Sequence, residues 1–275
     1  MKQQMIVMHM SGAYEEQTFY KQNQHIVREV DCKNIEGTNC YCDEMAKEEL
    51  RRRIAAYSYE GIHFLDSGNY HYLSLLWLEK IDRPFALVLF DHHPDLQAPS
   101  WGKITSCGGW VREALETNSY LEKVYLVGVD AQLLSEVRLE DQKDQQEENG
   151  DLPCETNDTY INLWERIQTG LPDFTEEKRP IYISFDKDVL NSTEAVCDWD
   201  QGDMSLEEAI HNIKEIATST SEFLGMDVCG EDSSWSKTRE AKTCEVNDWC
   251  NKRLQEVFPF FKKKKRGYRT KRVDG

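Results

Sequence analysis

Two carboxylates and an imidazole alternate directly after an unbroken run of six apolar residues. The apolar run 85–90 is followed by Asp91, His93 and Asp95, with His92 between them. Side chains at alternate positions of an extended segment share one face, so these three can converge while His92 points to the other face. Carboxylates and imidazole together suit hard to borderline divalent ions. The spacing predicts a metal site, and a polar turn after a core strand is the plainer alternative for this run alone.

The same chemistry recurs at two other places in the chain. Asp186 and Asp188 alternate after the run 180–185, and His71 follows the run 61–65 after a short polar segment. Four carboxylates brought together would repel one another and raise each other's pKa unless cations neutralised them. Two divalent ions with bridging carboxylates solve that problem, as in binuclear hydrolases. The residue types therefore predict hydrolysis at a two-metal centre.

Parallel strands must hold these residues. Short runs that are apolar on both sides are typical of strands buried on both faces, and ligands collect at the carboxyl ends of such strands. Strands are predicted over residues 5–9, 61–65, 85–90, 123–129, 180–185 and 222–228. Helices are predicted over residues 44–57, 72–80, 110–121 and 206–217, the last with Ser205 and Glu208 as a capping box. The alternation predicts an α/β fold with helices on both faces of a mostly parallel sheet.

The 275 residues are expected to form one large domain with two atypical segments. Residues 1–261 are assigned to a single α/β domain. Within it, residues 135–158 are rich in Glu, Asp and Gln, lack periodicity, and are expected to be a solvated surface excursion. Residues 262–275 are rich in Lys and Arg and are expected to be a basic, disordered tail. No run approaches 18 apolar residues, so no membrane span is predicted.

Composition bounds the partners and the compartment. The net charge of −17 argues against nucleic acid and membranes as partners, and it would favour a cationic substrate, although a solvated acidic surface explains it more simply. Nine cysteines, an odd number without small-domain disulfide spacing, predict reduced thiols in the cytoplasm. Cys40 and Cys42 have no second pair at finger-like spacing, so no zinc finger is predicted. A homo-oligomer is compatible with these features.

The three segments resemble motifs of the arginase, agmatinase and deacetylase superfamily. Residues 91–95 resemble its Asp-Ala-His-x-Asp motif, residues 184–188 its Ser-Phe-Asp-x-Asp motif, and residues 67–71 its Gly-Gly-Asp-His segment. The resemblance runs from about Gly61 to Asp232. It implies a three-layer α/β/α arginase-like fold with a mostly parallel central sheet. It also implies two Mn²⁺ ions per chain, with Zn²⁺ or Fe²⁺ as second choices.

The resemblance also assigns a role to each metal-binding residue. Asp91 and Asp186 would bridge the two ions. The remaining ligands would divide into two pairs, His71 with Asp95 on one ion and His93 with Asp188 on the other.

A closer likeness is to the arginase-like family that includes peptide arginases, which convert arginine within a peptide into ornithine. Its segments are matched by residues 66–72, 106–111, 186–190, 199–202 and 227–231. The likeness implies a metal-dependent C–N hydrolase that releases urea from a guanidino group, foremost that of a peptidyl arginine. Asp95 would orient the attacking hydroxide and accept its proton.

Three departures from that family affect the expected substrate. Residues 105–110 lack the histidine that is proposed to shuttle protons in free-arginine arginases. The glutamate that holds the guanidinium falls near Gly230, so Glu231 would serve if the alignment slips by one, with Asp232 and Trp110 as further substrate contacts. The loop that grips the α-groups of free arginine is not recognisable after Asp95. Free arginine is therefore disfavoured.

Two other functions stay open. A deacetylase-like amide hydrolase would need one Zn²⁺ and a reduced ligand set, and the presence of both His71 and Asp188 argues against it. A metal-binding regulatory protein without turnover is compatible with the missing histidine.

Overall fold

A parallel sheet of eight strands carries the predicted site residues at the carboxyl ends of its central strands. The computed structural model describes residues 4–21, 25–99, 102, 104–148, 163–233 and 241–257. The strands are β1 Gln4–His9, β2 Val27–Asp31, β3 Tyr41–Cys42, β4 Gly61–Phe64, β5 Phe85–Phe90, β6 Thr105–Ser106, β7 Leu121–Val127, β8 Ile167–Thr169, β9 Ile181–Asp186 and β10 Phe223–Cys229. The six predicted strands are all present, with ends that differ by a few residues.

The order of the strands brings distant parts of the chain together. The main sheet has the order β2-β1-β4-β10-β9-β5-β7-β8, and its neighbouring strands all run parallel. Strands β3 and β6 form a separate antiparallel pair. Because β4, β10, β9 and β5 are neighbours, the residues that follow β4, β9 and β5 meet at one end of the sheet.

Six α-helices lie in the described part of the chain. They are α1 Glu44–Ile54, α2 Leu73–Leu78, α3 Trp110–Thr117, α4 Ala131–Glu148, α5 Leu206–Ser219 and α6 Ala241–Gln255. The Ser205 hydroxyl accepts from the Glu208 amide at 3.2 Å and caps α5 as predicted. Asp130 caps α4, since its carboxylate accepts from the amides of Gln132 and Leu133 at 2.8 and 2.9 Å. None of the helices in the described ranges is long and apolar enough to cross a bilayer.

Two apolar cores lie on opposite faces of the sheet. Leu87 of β5 belongs to one core, together with Trp77 of α2. The next residue, Val88, belongs to the other core, together with Ile210 of α5 and Leu254 of α6. Alternate side chains of a single strand thus pack against different helical layers, which explains the unbroken apolar runs. The predicted three-layer α/β/α architecture is confirmed.

Several elements differ from the prediction, and strands β3, β6 and β8 and helix α6 are among those that were not predicted. Strand β2 was not predicted, because it lies at the end of the sheet and only Val27 and Val30 of its five residues are buried. Residues 135–148, expected to be irregular, belong to helix α4, although most of their described side chains are exposed as predicted. The rest of the predicted excursion and the predicted tail 262–275 lie outside the described residues. The assignment of residues 1–261 to one domain stays a prediction.

Candidate metal centre

The structure brings all six predicted metal-binding side chains together. His71 Nδ1 lies 3.0 Å from Asp95 Oδ2, 3.2 Å from Asp91 Oδ2 and 3.4 Å from Asp186 Oδ2. Beside this group, the second predicted imidazole forms its own contacts. His93 Nδ1 lies 2.8 Å from Asp188 Oδ2 and 3.6 Å from Asp91 Oδ1.

The donor atoms form two overlapping groups that share Asp91. His71, Asp91 and Asp95 make one group, and Asp91, His93 and Asp188 make the other; within each, the donor atoms lie within 4.8 Å of one another. The geometry therefore gives Asp91 the position of a bridging ligand. Asp186, predicted as a second bridge, is grouped instead with His71 and Cys229.

Burial of these carboxylates indicates that cations belong among them. Asp91, Asp95, Asp186 and Asp188 are all buried, and Asp91 Oδ2 makes no hydrogen bond. Burial, with the nearby charge of Asp95, raises the pKa of Asp91. Burial, with the charge of Asp91, raises the pKa of Asp188 to about 6. Uncompensated buried carboxylates are costly, and divalent ions between them would remove the penalty, so these residues fit two such ions.

A buried hydrogen-bond chain orients His71. The Ser184 hydroxyl donates to Asp227 Oδ1 at 2.6 Å, and the Ser74 hydroxyl donates to the same oxygen at 3.0 Å. Ser184 Oγ can therefore accept from the Nε2–H of His71, which lies 2.9 Å away. With its proton on Nε2, the neutral imidazole turns an unprotonated Nδ1 toward the carboxylates, as a metal ligand requires.

Trp110 is buried behind the metal-binding residues and does not line the cavity, which argues against its predicted role as a substrate contact. Its side chain is fully buried, and its indole Nε1 donates to Asp95 Oδ2 at 2.6 Å. The indole ring also packs against the His71 ring, with centroids 4.9 Å apart. Asp95 has a φ of +50°, a conformation unusual for a residue other than glycine. The indole therefore helps to hold the Asp95 carboxylate toward His71.

Replacing Trp110 by phenylalanine is expected to weaken metal binding by about tenfold, the lower end of the usual effect of losing a group that orients a ligand. The substitution keeps most of the ring volume but removes the Nε1 donor to Asp95. Competition with a metal-sensitive dye would measure the change. Trp199→Phe is the matched control, because the Trp199 indole donates to Asn69 and not to a predicted ligand. Equal effects of the two substitutions would contradict the assigned role.

Glu231 is paired with a cation of the chain itself, which argues against its predicted role as the guanidinium holder. Glu231 and Lys187 are both fully buried, and the Lys187 ammonium donates to Glu231 Oε1. The carboxylate also accepts from the side-chain amides of Gln17, Asn247 and Asn251 at 2.7 to 3.0 Å. All four donors to Glu231 thus belong to the chain itself. Glu231 also does not line the cavity over the predicted metal ligands.

The turn before Glu231 helps to explain this placement. Gly230 has a φ of +89°, and a Cβ there would lie 2.3 Å from Asp186 Oδ1. A glycine is therefore required at this position, and the next side chain, that of Glu231, enters the buried network. Asp232, the other predicted substrate contact, is also buried and lies outside the cavity.

The cavity above the four carboxylates and two imidazoles has a volume of about 350 Å³. On one side it is lined by the aromatic residues Tyr41 and Trp199, both partly exposed. On another it is lined by four residues of α4 at helical spacing, namely Leu133, Glu136, Val137 and Glu140. Sequence reasoning missed the α4 wall, because only two of these four residues are apolar and the pattern of an amphipathic helix is therefore weak.

Comparison with known proteins agrees with this architecture. A family model described as the Arginase family matches residues 6–234. The chain belongs to the arginase family. An uncharacterized protein of Thermotoga maritima is 29% identical over 225 residues, which cover 82% of this chain and 78% of the relative. The predicted resemblance to the arginase superfamily is confirmed.

Solved structures of the arginase superfamily share the fold. The arginase from Medicago truncatula superposes with a TM-score of 0.62 at 15% identity, covering 95% of this chain and 87% of that one. The Trypanosoma cruzi formiminoglutamase with Mn²⁺ gives a TM-score of 0.52 at 13% identity, and the superposition covers 93% of this chain and 94% of that one. At these identities the likeness shows the common arginase-family fold.

Proposed function

We propose that this arginase-family protein is a binuclear Mn²⁺-dependent hydrolase that releases urea from the guanidino group of a peptidyl arginine. The observation that carries the proposal is the pair of donor groups sharing Asp91 at the floor of a cavity. Each group contains one imidazole, from His71 or His93, and otherwise oxygen donors. Oxygen-rich ligation with one imidazole per ion suits Mn²⁺, the ion in the related formiminoglutamase structure.

The chain's own residues would hold the ions and prepare the reaction. His71 and Asp95 would hold one ion and His93 and Asp188 the other, and Asp91 belongs to both donor groups. Two divalent ions in this arrangement supply hydroxide at neutral pH and polarise the group under attack. The Asp95 carboxylate lies beside His71 and lines the cavity, where it would orient the attacking hydroxide and accept its proton. Trp110 keeps it in place through the indole hydrogen bond.

The walls of the cavity favour a cationic side chain over a free amino acid. Leu133 and Val137 offer apolar surface for a methylene stem, while Glu136 and Glu140 on the exposed side of α4 offer negative charge. Among the described residues that line the cavity there is no lysine or arginine. Nothing positively charged is thus positioned there to hold the α-carboxylate of free arginine. A peptide bond in place of that carboxylate avoids the need for such a group.

Substrate size provides the test. We expect urea release from a blocked arginine tripeptide to exceed that from free arginine by at least about tenfold in kcat/KM, a difference of roughly 1.4 kcal/mol. Both substrates would be assayed side by side with the Mn²⁺-loaded protein, with agmatine and a blocked acetyl-lysine peptide as further arms. Equal or reversed rates for the two arginine substrates would contradict the peptide preference. Release of acetate alone would favour the deacetylase-like alternative.

A second candidate is a regulatory protein that binds metal without turnover. Among the described residues that line the cavity, the only histidines are His71 and His93, and both belong to the donor groups. No further imidazole is therefore available there to shuttle protons. Metal binding without urea release from any of the arms would favour this candidate.

A cytoplasmic location is part of the proposal. The eight cysteines in the described part of the chain are all free thiols, and several of them are buried. Free thiols fit the reducing compartment that the odd cysteine count predicts.

A further inference from the structure

Cys229 lies among the metal-binding residues, and the proposed function does not use it. It is the last residue of β10 and is fully buried. Its thiol donates to Asp186 Oδ2 at 3.0 Å. Together with His71 and Asp186, it forms a third group whose donor atoms lie within 4.8 Å of one another.

The sheet fixes the position of this thiol. Strand β10 lies between β4 and β9, and Cys229 is paired with Asp186 in the register of β10 and β9. Two residues earlier on the same face of β10, Asp227 accepts the hydrogen bond from Ser184 that orients His71. The sulfur is therefore held beside the imidazole and the carboxylate by paired strands instead of a loop.

A thiol at this place makes the two ion positions chemically unequal. The position near His71 combines an imidazole, carboxylates and a sulfur atom, whereas the group of Asp91, His93 and Asp188 contains only oxygen and imidazole donors. Thiolate is a soft ligand that selects Zn²⁺, Co²⁺ or Fe²⁺ over Mn²⁺. A coordinating thiol also gives up its proton to solvent when the ion binds.

We propose that Cys229 is a ligand of the ion held by His71 and Asp186, and that this position takes Zn²⁺, Co²⁺ or Fe²⁺ in preference to Mn²⁺. The position at His93 and Asp188 keeps the preference for Mn²⁺. The inference rests on the two-ion binding in the proposed function and changes the preferred ion at one of the two positions, but it does not depend on urea release. The competing interpretation is a thiol that only donates a hydrogen bond to Asp186.

Cobalt provides a direct readout of the sulfur–metal bond. Adding Co²⁺ to the metal-free, full-length protein is expected to produce a thiolate-to-cobalt charge-transfer band in the near ultraviolet. The band should be lost in Cys229→Ser and retained in Cys107→Ser, a matched control whose cysteine lines the same cavity. Absence of the band from the unsubstituted protein, or its persistence in Cys229→Ser, would overturn the proposal.

Metal selectivity and X-ray absorption give independent readouts. In Cys229→Ser, affinity for Zn²⁺ is expected to fall by about tenfold or more, while affinity for Mn²⁺ changes much less. An equal loss for both ions would overturn the proposal. If Cys229→Ser does not fold, X-ray absorption of the Zn²⁺-loaded unsubstituted protein decides, since ligation requires a sulfur at about 2.3 Å from zinc. Urea release is assayed separately, so that a failure of Cys229 to bind the metal can be told apart from a failure of the proposed hydrolase function.

Discussion

Replacing Asp91 by alanine is expected to remove both metal ions, whereas replacing His71 is expected to loosen mainly one. Asp91 belongs to both donor groups, but His71 is absent from the group that contains His93 and Asp188. Removing the shared carboxylate also leaves the remaining buried carboxylates uncompensated, which disfavours rebinding at either position. Hydrolytic activity should disappear with the ions, because they supply several kcal/mol of transition-state stabilisation.

Metal content after dialysis against Mn²⁺ would measure this effect by elemental analysis. We expect two ions per chain in the unsubstituted protein, essentially none in Asp91→Ala and close to one in His71→Ala. Asp186→Ala should affect the ion near His71 first, because its donor group contains His71 and Cys229. His92→Ala is the matched histidine control, since His92 adjoins the site but belongs to none of the donor groups.

The roles would have to be reassigned if His71→Ala emptied the whole site while Asp91→Ala retained an ion. A single tightly held Zn²⁺ in the unsubstituted protein, with no second ion bound even in excess Mn²⁺, would contradict the two-ion interpretation itself. That result would favour the deacetylase-like alternative, which needs only one ion.

The central strands and the metal-binding residues were predictable because their pattern is local. Strands β5 and β9 are buried on both faces, so β5 is a continuous apolar run in the sequence and β9 is largely apolar. The alternation of Asp91, His93 and Asp95 is equally visible. What the sequence does not contain is the order β4-β10-β9-β5, which brings His71 to these residues. That convergence was inferred from the strand-end rule and the family resemblance.

The side chains of Glu231 and Trp110 have hydrogen-bond partners that the sequence does not indicate. Glu231 is held by Gln17, which lies 214 residues earlier, and no local pattern indicates this contact. The indole of Trp110 donates to Asp95, so an aromatic residue near the site supports a ligand from behind instead of lining the cavity. Helix α4 was missed for another reason. Its polar residues have high helix propensity but almost no apolar periodicity, and the prediction relied on periodicity.

The buried pair of Lys187 and Glu231 is expected to matter for folding, not for substrate binding. Burial alone would lower the pKa of Lys187, but attraction to Glu231 outweighs it and holds the pKa above its usual value. The lysine is therefore charged at neutral pH. Lys187→Met would leave the Glu231 carboxylate buried without its cation, with only the neutral donors of Gln17, Asn247 and Asn251. Losing one partner of a buried ion pair typically costs about 3–5 kcal/mol.

Urea denaturation would measure this loss of stability. The metal-free protein is used, because ions bound at Asp186 and Asp188, on either side of Lys187, would add their own stabilisation. The matched control is Lys33→Met, which removes an exposed lysine paired with Glu15 at 2.8 Å and should leave the unfolding midpoint unchanged. The double variant Lys187→Met with Glu231→Gln should be less destabilised than the sum of the two single variants, because it leaves no unpaired buried charge. If Lys187→Met were as mild as Lys33→Met, or if the two single effects were additive, Glu231 would not depend on Lys187. It would then return as a candidate for binding a substrate cation.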